Sequence, residues 1–235
     1  MEDIDAIAAL QDPVRRRLYE YVVARGREVG RNEAAEATGV ARTLAAHHLD
    51  RLTEAGLLES GSRRLTGRSG PGAGRPAKVY TRARAERAVS LPARDYRTAA
   101  ELLAEAAEQA GLDAELTTAA RRRGEALRGP AAPCESLGQV MEMLAARGYE
   151  PHLETGEGAQ GAEGAGEAAE PGPSVVRMRN CPFHAVAERF PPLVCGMNLA
   201  LLEGLLGADG AVRARMDARP GECCVVVEPS KNKSR

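Results

Sequence analysis

The sequence predicts an α+β chain: three short helices and a hairpin at the N-terminus, a helical stretch, and a mixed α+β C-terminal half. Three observations carry this. Residues 13–55 place apolar side chains at helical spacing in three segments, each stopped by a glycine. Residues 57–81 read as two strands around a loop rich in Gly, Arg and Ser. Residues 149–227 interleave strand-like alternation with one long helical pattern.

The elements follow in order. Pro13 suits the first position of a helix over residues 13–25 and Asp12 the cap before it, with Val14, Leu18, Tyr21 and Val22 on one face and Gly26 as the stop. Residues 31–38 make a second helix, ended by Gly39. Residues 41–55 make a third, with Leu44, Leu49 and Leu52 facing inward and Gly56 after it. Leu57, Leu58 and Glu59 begin a strand, the loop RRLTGRSGPGAGRP follows, and Lys78 to Thr81 return. That order is the order of a winged helix-turn-helix. Residues 84–130 read as mostly helical. Leu102, Leu103, Ala106 and Ala110 form one apolar stripe, and Leu116, Ala119, Ala120 and Leu127 another. Such stripes suit pairing with a second copy or packing on the chain's own domain. A helix over 135–147 and strands at 149–153 and 174–179 follow, then a helix over 192–206 and a closing hairpin, 212–217 with 223–227, around Pro220-Gly221. Residues 155–173 repeat Gly, Ala and Glu without apolar periodicity and read as a disordered insert. The expected domains are a DNA-binding unit at 1–88, a helical linker and dimerisation region at 89–130, and an α+β sensor domain at 131–229.

Bulk composition narrows the function. Hydrophobic residues make up 43% and charged residues 28%, and the net charge is −1, which excludes a uniformly basic nucleic-acid binder. Charge is nevertheless local. Between Ser60 and Arg84 stand seven basic residues and no acid, whereas residues 154–170 hold five Glu and no base. A basic patch in a near-neutral chain marks a localised phosphate contact. No apolar run is long enough to span a bilayer, and MEDIDAIAALQDP lacks the basic and apolar regions of a signal peptide. The expected location is the cytoplasm, without membrane contact. Thiols stay reduced there, so the five Cys point to core positions, metal ligands or redox groups rather than disulfides.

The helix-turn-helix supplies candidates for reading double-stranded operator DNA. Ala34 and Ala35 keep the supporting helix slim, Gly39 allows the turn, and Val40 fills the gap between the helices. The groove-facing side of the third helix then shows Arg42, Thr43, Ala46, His47 and Arg51. His48, about 100° from His47, turns toward the start of the wing as a packing residue. In the wing, Arg63, Arg64 and Arg68 are placed to neutralise phosphates or enter a minor groove.

Three runs, DPVRRRLYEYV, VARTLAAHHLDRLTEAGLL and GRPAKVY, resemble bacterial winged-helix regulators of the ArsR-like kind. The runs NCPFHAVAERFPPLVCGMNLALLEGLLG and GECCVVV narrow the resemblance to SufR-type iron–sulfur regulators and their actinobacterial relatives. The resemblance implies a homodimer, read here as a repressor, in which a cluster on C-terminal cysteines changes DNA affinity. Carried over by position, Cys181, Cys195 and Cys224 match three of the family's cysteines, and the fourth, expected between Cys195 and Cys224, is absent. The chemistry offers His184 or Cys223 as the fourth ligand. In a strand, neighbours face opposite sides, so only one of Cys223 and Cys224 is expected to point into the site. Such a donor set suits an iron–sulfur cluster, with [4Fe–4S] first, or zinc. Simple core cysteines and a thiol redox switch are the other readings, and Cys134 is read as a non-ligand.

Two rivals remain. An enzyme has little support, because there is no phosphate loop, serine nucleophile elbow or HExxH, and no catalytic residue is assigned. A protein-interaction module without DNA binding conflicts with the Arg-rich wing. Within the regulator class, small-molecule sensing is the alternative to metal.

Overall fold

The computed structural model describes residues 2–63, 76–156 and 172–230. The wing-loop arginines Arg64 and Arg68, and most of the insert expected at 155–173, lie outside the described residues. The chain divides into two compact units, Met1–Arg94 and Asp95–Arg235.

The first unit runs α1 (Glu2–Ala8), a short 3-10 turn (Ala9–Gln11), α2 (Pro13–Arg25), β1 (Val29–Gly30), α3 (Arg31–Thr38), α4 (Arg42–Glu54), β2 (Leu58–Arg63) and β3 (Ala77–Arg82). Asp12 caps α2 as expected: its Oδ1 accepts from the backbone N–H of Val14 at 2.8 Å and of Arg15 at 3.0 Å. Gly39 closes α3 in the left-handed conformation at φ +68°, which lets the chain turn sharply into α4. Val40 then packs against the core cluster built from Leu18, Val22, Ala45, Leu49 and Leu52. The strands form an antiparallel sheet in the order β1-β3-β2. Neither α1 nor the two-residue β1 was anticipated, and β1 is too short to carry a period.

Two sequence expectations on α4 are corrected. Leu44 does not face inward; it is 41% exposed. The inner stripe is Ala45, His48, Leu49 and Leu52, spaced i, i+3, i+4, i+7, and Leu44 lies about 100° off it. His48 does not turn to the wing. It is buried, close enough to Asp12 and Arg15 to feel their charges. Among the described residues, its Nδ1 has no hydrogen-bond partner. Burial pulls its pKa down, against the opposing pull of Asp12.

The second unit runs α5 (Tyr96–Gln109), α6 (Asp113–Arg128), α7 (Leu137–Ala145), β4 (Pro151–Gly156), β5 (Gly172–Met178), α8 (His184–Ala187), α9 (Pro191–Leu206), β6 (Val212–Met216) and β7 (Val225–Pro229). Its antiparallel sheet has the order β4-β5-β7-β6. Alternation sorts the two faces. Val176, Met178, Val225 and Val227 join one core with Val140 and Leu144 of α7 and Leu202 and Leu205 of α9. Arg177 points the other way. It is 1% exposed, and its guanidinium meets Glu154 Oε2 and Asp217 Oδ2, both at 2.7 Å. Burying that cation is tolerable because two carboxylates neutralise it.

The helical stretch expected at 84–130 starts only at Tyr96, where Asp95 caps α5 by accepting from the Thr98 N–H at 2.9 Å. Its two stripes have different fates. On α6, Ala120 and Gly124 are buried against α9, while Leu127 stays exposed. The helices cross at two glycines. A Cβ on Gly124 would strike the carbonyl of Leu201, and one on Gly204 the carbonyl of Arg121. On α5, Ala104 and Ala107 rest against the cluster of Phe190, Leu193 and Val194, but no α5 residue is fully buried. Leu102 and Leu103 are 62% and 72% exposed. Among the described residues, no helix is long and apolar enough to cross a membrane.

Candidate functional site

Two arrangements carry chemistry, one in each unit. In the first, the inward stripe of α4 leaves Arg42, Thr43 and His47 exposed and Ala46 half-buried on the other side, near the helix's start. These are the positions from which a recognition helix reaches base edges in a major groove. Arg51 is also exposed but is held by Glu54 at 2.8 Å. Arg63, at the end of β2, is exposed and pairs with Glu28 at 3.1 Å.

The orientation of α4 rests on Asp50, which the sequence reading did not single out. Lys78 Nζ donates to Asp50 Oδ1 at 2.7 Å, and the hydroxyl of Tyr80 donates to the same oxygen at 2.6 Å. Arg31 of α3 in turn donates to the Tyr80 hydroxyl at 3.1 Å. One carboxylate therefore ties the recognition helix to β3, and through Tyr80 to α3. Burial works against the charge on Asp50, but the bonds from Lys78 and Tyr80 outweigh it and hold the carboxyl below its ordinary range. Burial and the neighbouring Asp50 push the Tyr80 hydroxyl up to about 12, so it remains a donor.

In the second unit four thiols meet. Cys195 lies in the first turns of α9, Cys181 just after β5, and Cys223 and Cys224 just before β7. Cys195 Sγ donates to Cys224 Sγ at 3.0 Å. Cys181 and Cys223 face each other closely enough that each shifts the other's titration. The two pairs adjoin, since Cys195 lies within electrostatic reach of Cys181 and of Cys223. The expectation that only one of Cys223 and Cys224 would face the site is corrected. The strand begins at Val225, so the pleat does not govern the two preceding residues and both thiols turn inward. His184 points elsewhere: its imidazole is exposed and lies 3.2 Å from Glu188 Oε1. Cys134 is half-buried in the neighbouring core cluster.

One side-chain donor reaches two of the sulfurs. The side-chain amide of Asn198 reaches Cys223 Sγ at 3.4 Å and Cys181 Sγ at 4.0 Å. The neighbouring Cys223, followed by burial, drives the Cys181 thiol far up, and Cys181 in turn draws Cys223 down. Burial, then the bond to Cys224, pushes Cys195 up to about 12. Asn198 and its partner Tyr149 were missed in the sequence. The available signal was a lone Asn three residues after Cys195 in an otherwise apolar run, LVCGMNLALL.

Among the described residues, no three His, Cys, Asp or Glu side chains stand ready to hold a metal ion. Cys195 and Cys224 meet as a hydrogen-bonded pair. A separation of 3.0 Å exceeds the roughly 2.05 Å of a disulfide. It falls short of the roughly 3.8 Å between sulfurs of a tetrahedral zinc–thiolate site. The donor set nevertheless fits an iron–sulfur centre in kind: four thiols with the Asn198 amide aimed at two of the sulfurs.

A helix-turn-helix domain model matches residues 10–61, from just ahead of α2 to the fourth residue of β2. No curated protein and no solved structure matches the chain. The matched stretch contains the turn at Gly39 and all of α4, and the β2–β3 hairpin that follows supplies the wing. The N-terminal unit is thus a winged helix-turn-helix, and the chain is a DNA-binding transcriptional regulator.

Proposed function

We propose that the chain is a homodimeric repressor of SufR type. It holds operator DNA through its winged helix and senses iron–sulfur or redox status at Cys181, Cys195, Cys223 and Cys224. The observation that supports the sensing half is the proximity of those four thiols, from three separate segments, with the Asn198 amide directed at two of them. A cluster bound there, [4Fe–4S] in this reading, would supply a group that oxidants and iron scarcity alter or remove. The protein's own residues supply the rest. Cys195 ties the centre to α9, Cys181 to the end of β5, and the Cys223–Cys224 pair to the start of β7. Losing it frees three segments at once.

The same four sulfurs suit structural zinc, so the metal itself separates sensor from staple. Dimerisation is assigned to the exposed face of α5, through Tyr96, Leu102 and Leu103, the more exposed of the two stripes, since α6 already packs on α9 through Ala120 and Gly124. The chain is read as a regulator and not as an enzyme.

Anaerobic purification tests this reading. A brown protein with iron and sulfide in equal amounts supports the cluster, and a colourless one with about one zinc per chain replaces the sensor with a staple. Cys195→Ser is expected to abolish metal uptake, retain the fold, and change affinity for a duplex enriched from a random library by at least tenfold. Full metal content in that variant, or equal DNA affinity with and without metal, refutes the assignment.

A further inference from the structure

We propose that Tyr149 and Asn198 form a clamp that presents N–H groups alone to the sulfurs of Cys181 and Cys223, and so raises the reduction potential of a cluster held there. This rests on the reading of those thiols as cluster ligands. Asn198 is 2% exposed in the middle of α9, and Tyr149, 4% exposed, lies between α7 and β4. A buried amide is costly unless each end is satisfied. Here the two ends are satisfied differently. The Tyr149 hydroxyl donates to Asn198 Oδ1 at 2.5 Å, leaving the Nδ2 end to point at Cys223 and Cys181. A carbonyl oxygen can only accept and the tyrosine proton needs an acceptor, so Tyr149 favours the amide orientation that turns its N–H end to the sulfurs. Asn198 is therefore a positioning residue with a preferred polarity.

That polarity has one chemical use. N–H donors stabilise sulfur in proportion to its negative charge, and a cluster's sulfurs carry more charge once an electron has been added. Reduction adds one electron from an external reductant such as dithionite. No bond to the protein breaks, and both clamp residues keep their protons. The clamp thus favours the reduced cluster. An apolar side chain of similar volume at residue 198 would fill the space without this bias.

The test compares wild type, Asn198→Leu and Tyr149→Phe. Each is reconstituted anaerobically as the full chain with ferrous iron and sulfide, and titrated with dithionite while the visible spectrum is followed. Asn198→Leu is expected to disfavour one-electron reduction about tenfold, a potential lower by about 59 mV. Tyr149→Phe, which frees the amide to turn, should shift it the same way by about threefold. Equal potentials in all three loaded proteins overturn the clamp while leaving the cluster reading intact. No iron and sulfide uptake by wild type overturns both. If Asn198→Leu fails to fold, Tyr149→Phe, which removes one oxygen, decides alone, and an unshifted potential there rejects the proposal.

Discussion

The candidate groups of the first unit face solvent, and those of the second face its own core. In the winged helix, Arg42, Thr43 and His47 stand in solvent on a helix whose other side is the core. In the second unit, Cys195, Cys223 and Asn198 are buried within the packing that holds the unit together. Outward groups act through fields that water and salt weaken, and they can change without disturbing the core. Inward groups act where little screens them, and altering them also alters packing. Function and stability should therefore separate in the first unit and travel together in the second.

The largest expected effect tests the inward side. Gly204→Ala places a methyl against the backbone of Arg121, with no flexible side chain to yield. It should destabilise the second unit by about 3 kcal/mol and lower metal uptake with it. Thermal unfolding by circular dichroism reads the first, and an unchanged midpoint would show that α6 and α9 are not locked at that crossing. On the outward side, Arg42→Ala should weaken binding to the enriched duplex by about 2 kcal/mol while the unfolding midpoint stays put. Fluorescence anisotropy measures this, and undiminished affinity would remove Arg42 from the interface. A smaller effect sharpens the contrast, because α5 belongs to the inward unit yet exposes leucines. Leu103→Glu should cost the proposed dimer about 1.5 kcal/mol per copy, seen as a monomer shift in light scattering across concentration, without loss of metal. A dimer as strong as wild type would place the interface elsewhere.

Most of the winged helix was legible because its signals are local. Asp12, Gly26 and Gly39 each act within a few residues of where they stand, and the period of α2 is carried by Leu18 and Val22. The phase of α4 was less so. Leu44 looks like core by type, yet Ala45 and His48 complete the buried stripe, and only the surrounding helices decide that. In the second unit the cysteines were conspicuous but their pairing was not. Treating Cys223 and Cys224 as strand residues misplaced one thiol, because the start of β7 is set by its pairing with β6. The crossing of Gly124 and Gly204 joins residues eighty apart, and Tyr149 meets Asn198 across forty-nine. No local pattern announces such meetings.

Asp50 carries a consequence for how the protein responds to ionic strength. Counting cations near the wing suggests how many condensed ions DNA would shed on association. Lys78, however, already has an anion at 2.7 Å inside its own fold. A charge so occupied releases nothing when a duplex arrives. On this pair alone the logarithmic fall of affinity with salt should be shallower by about 0.9, the difference being a lysine employed as a joint between helix and hairpin.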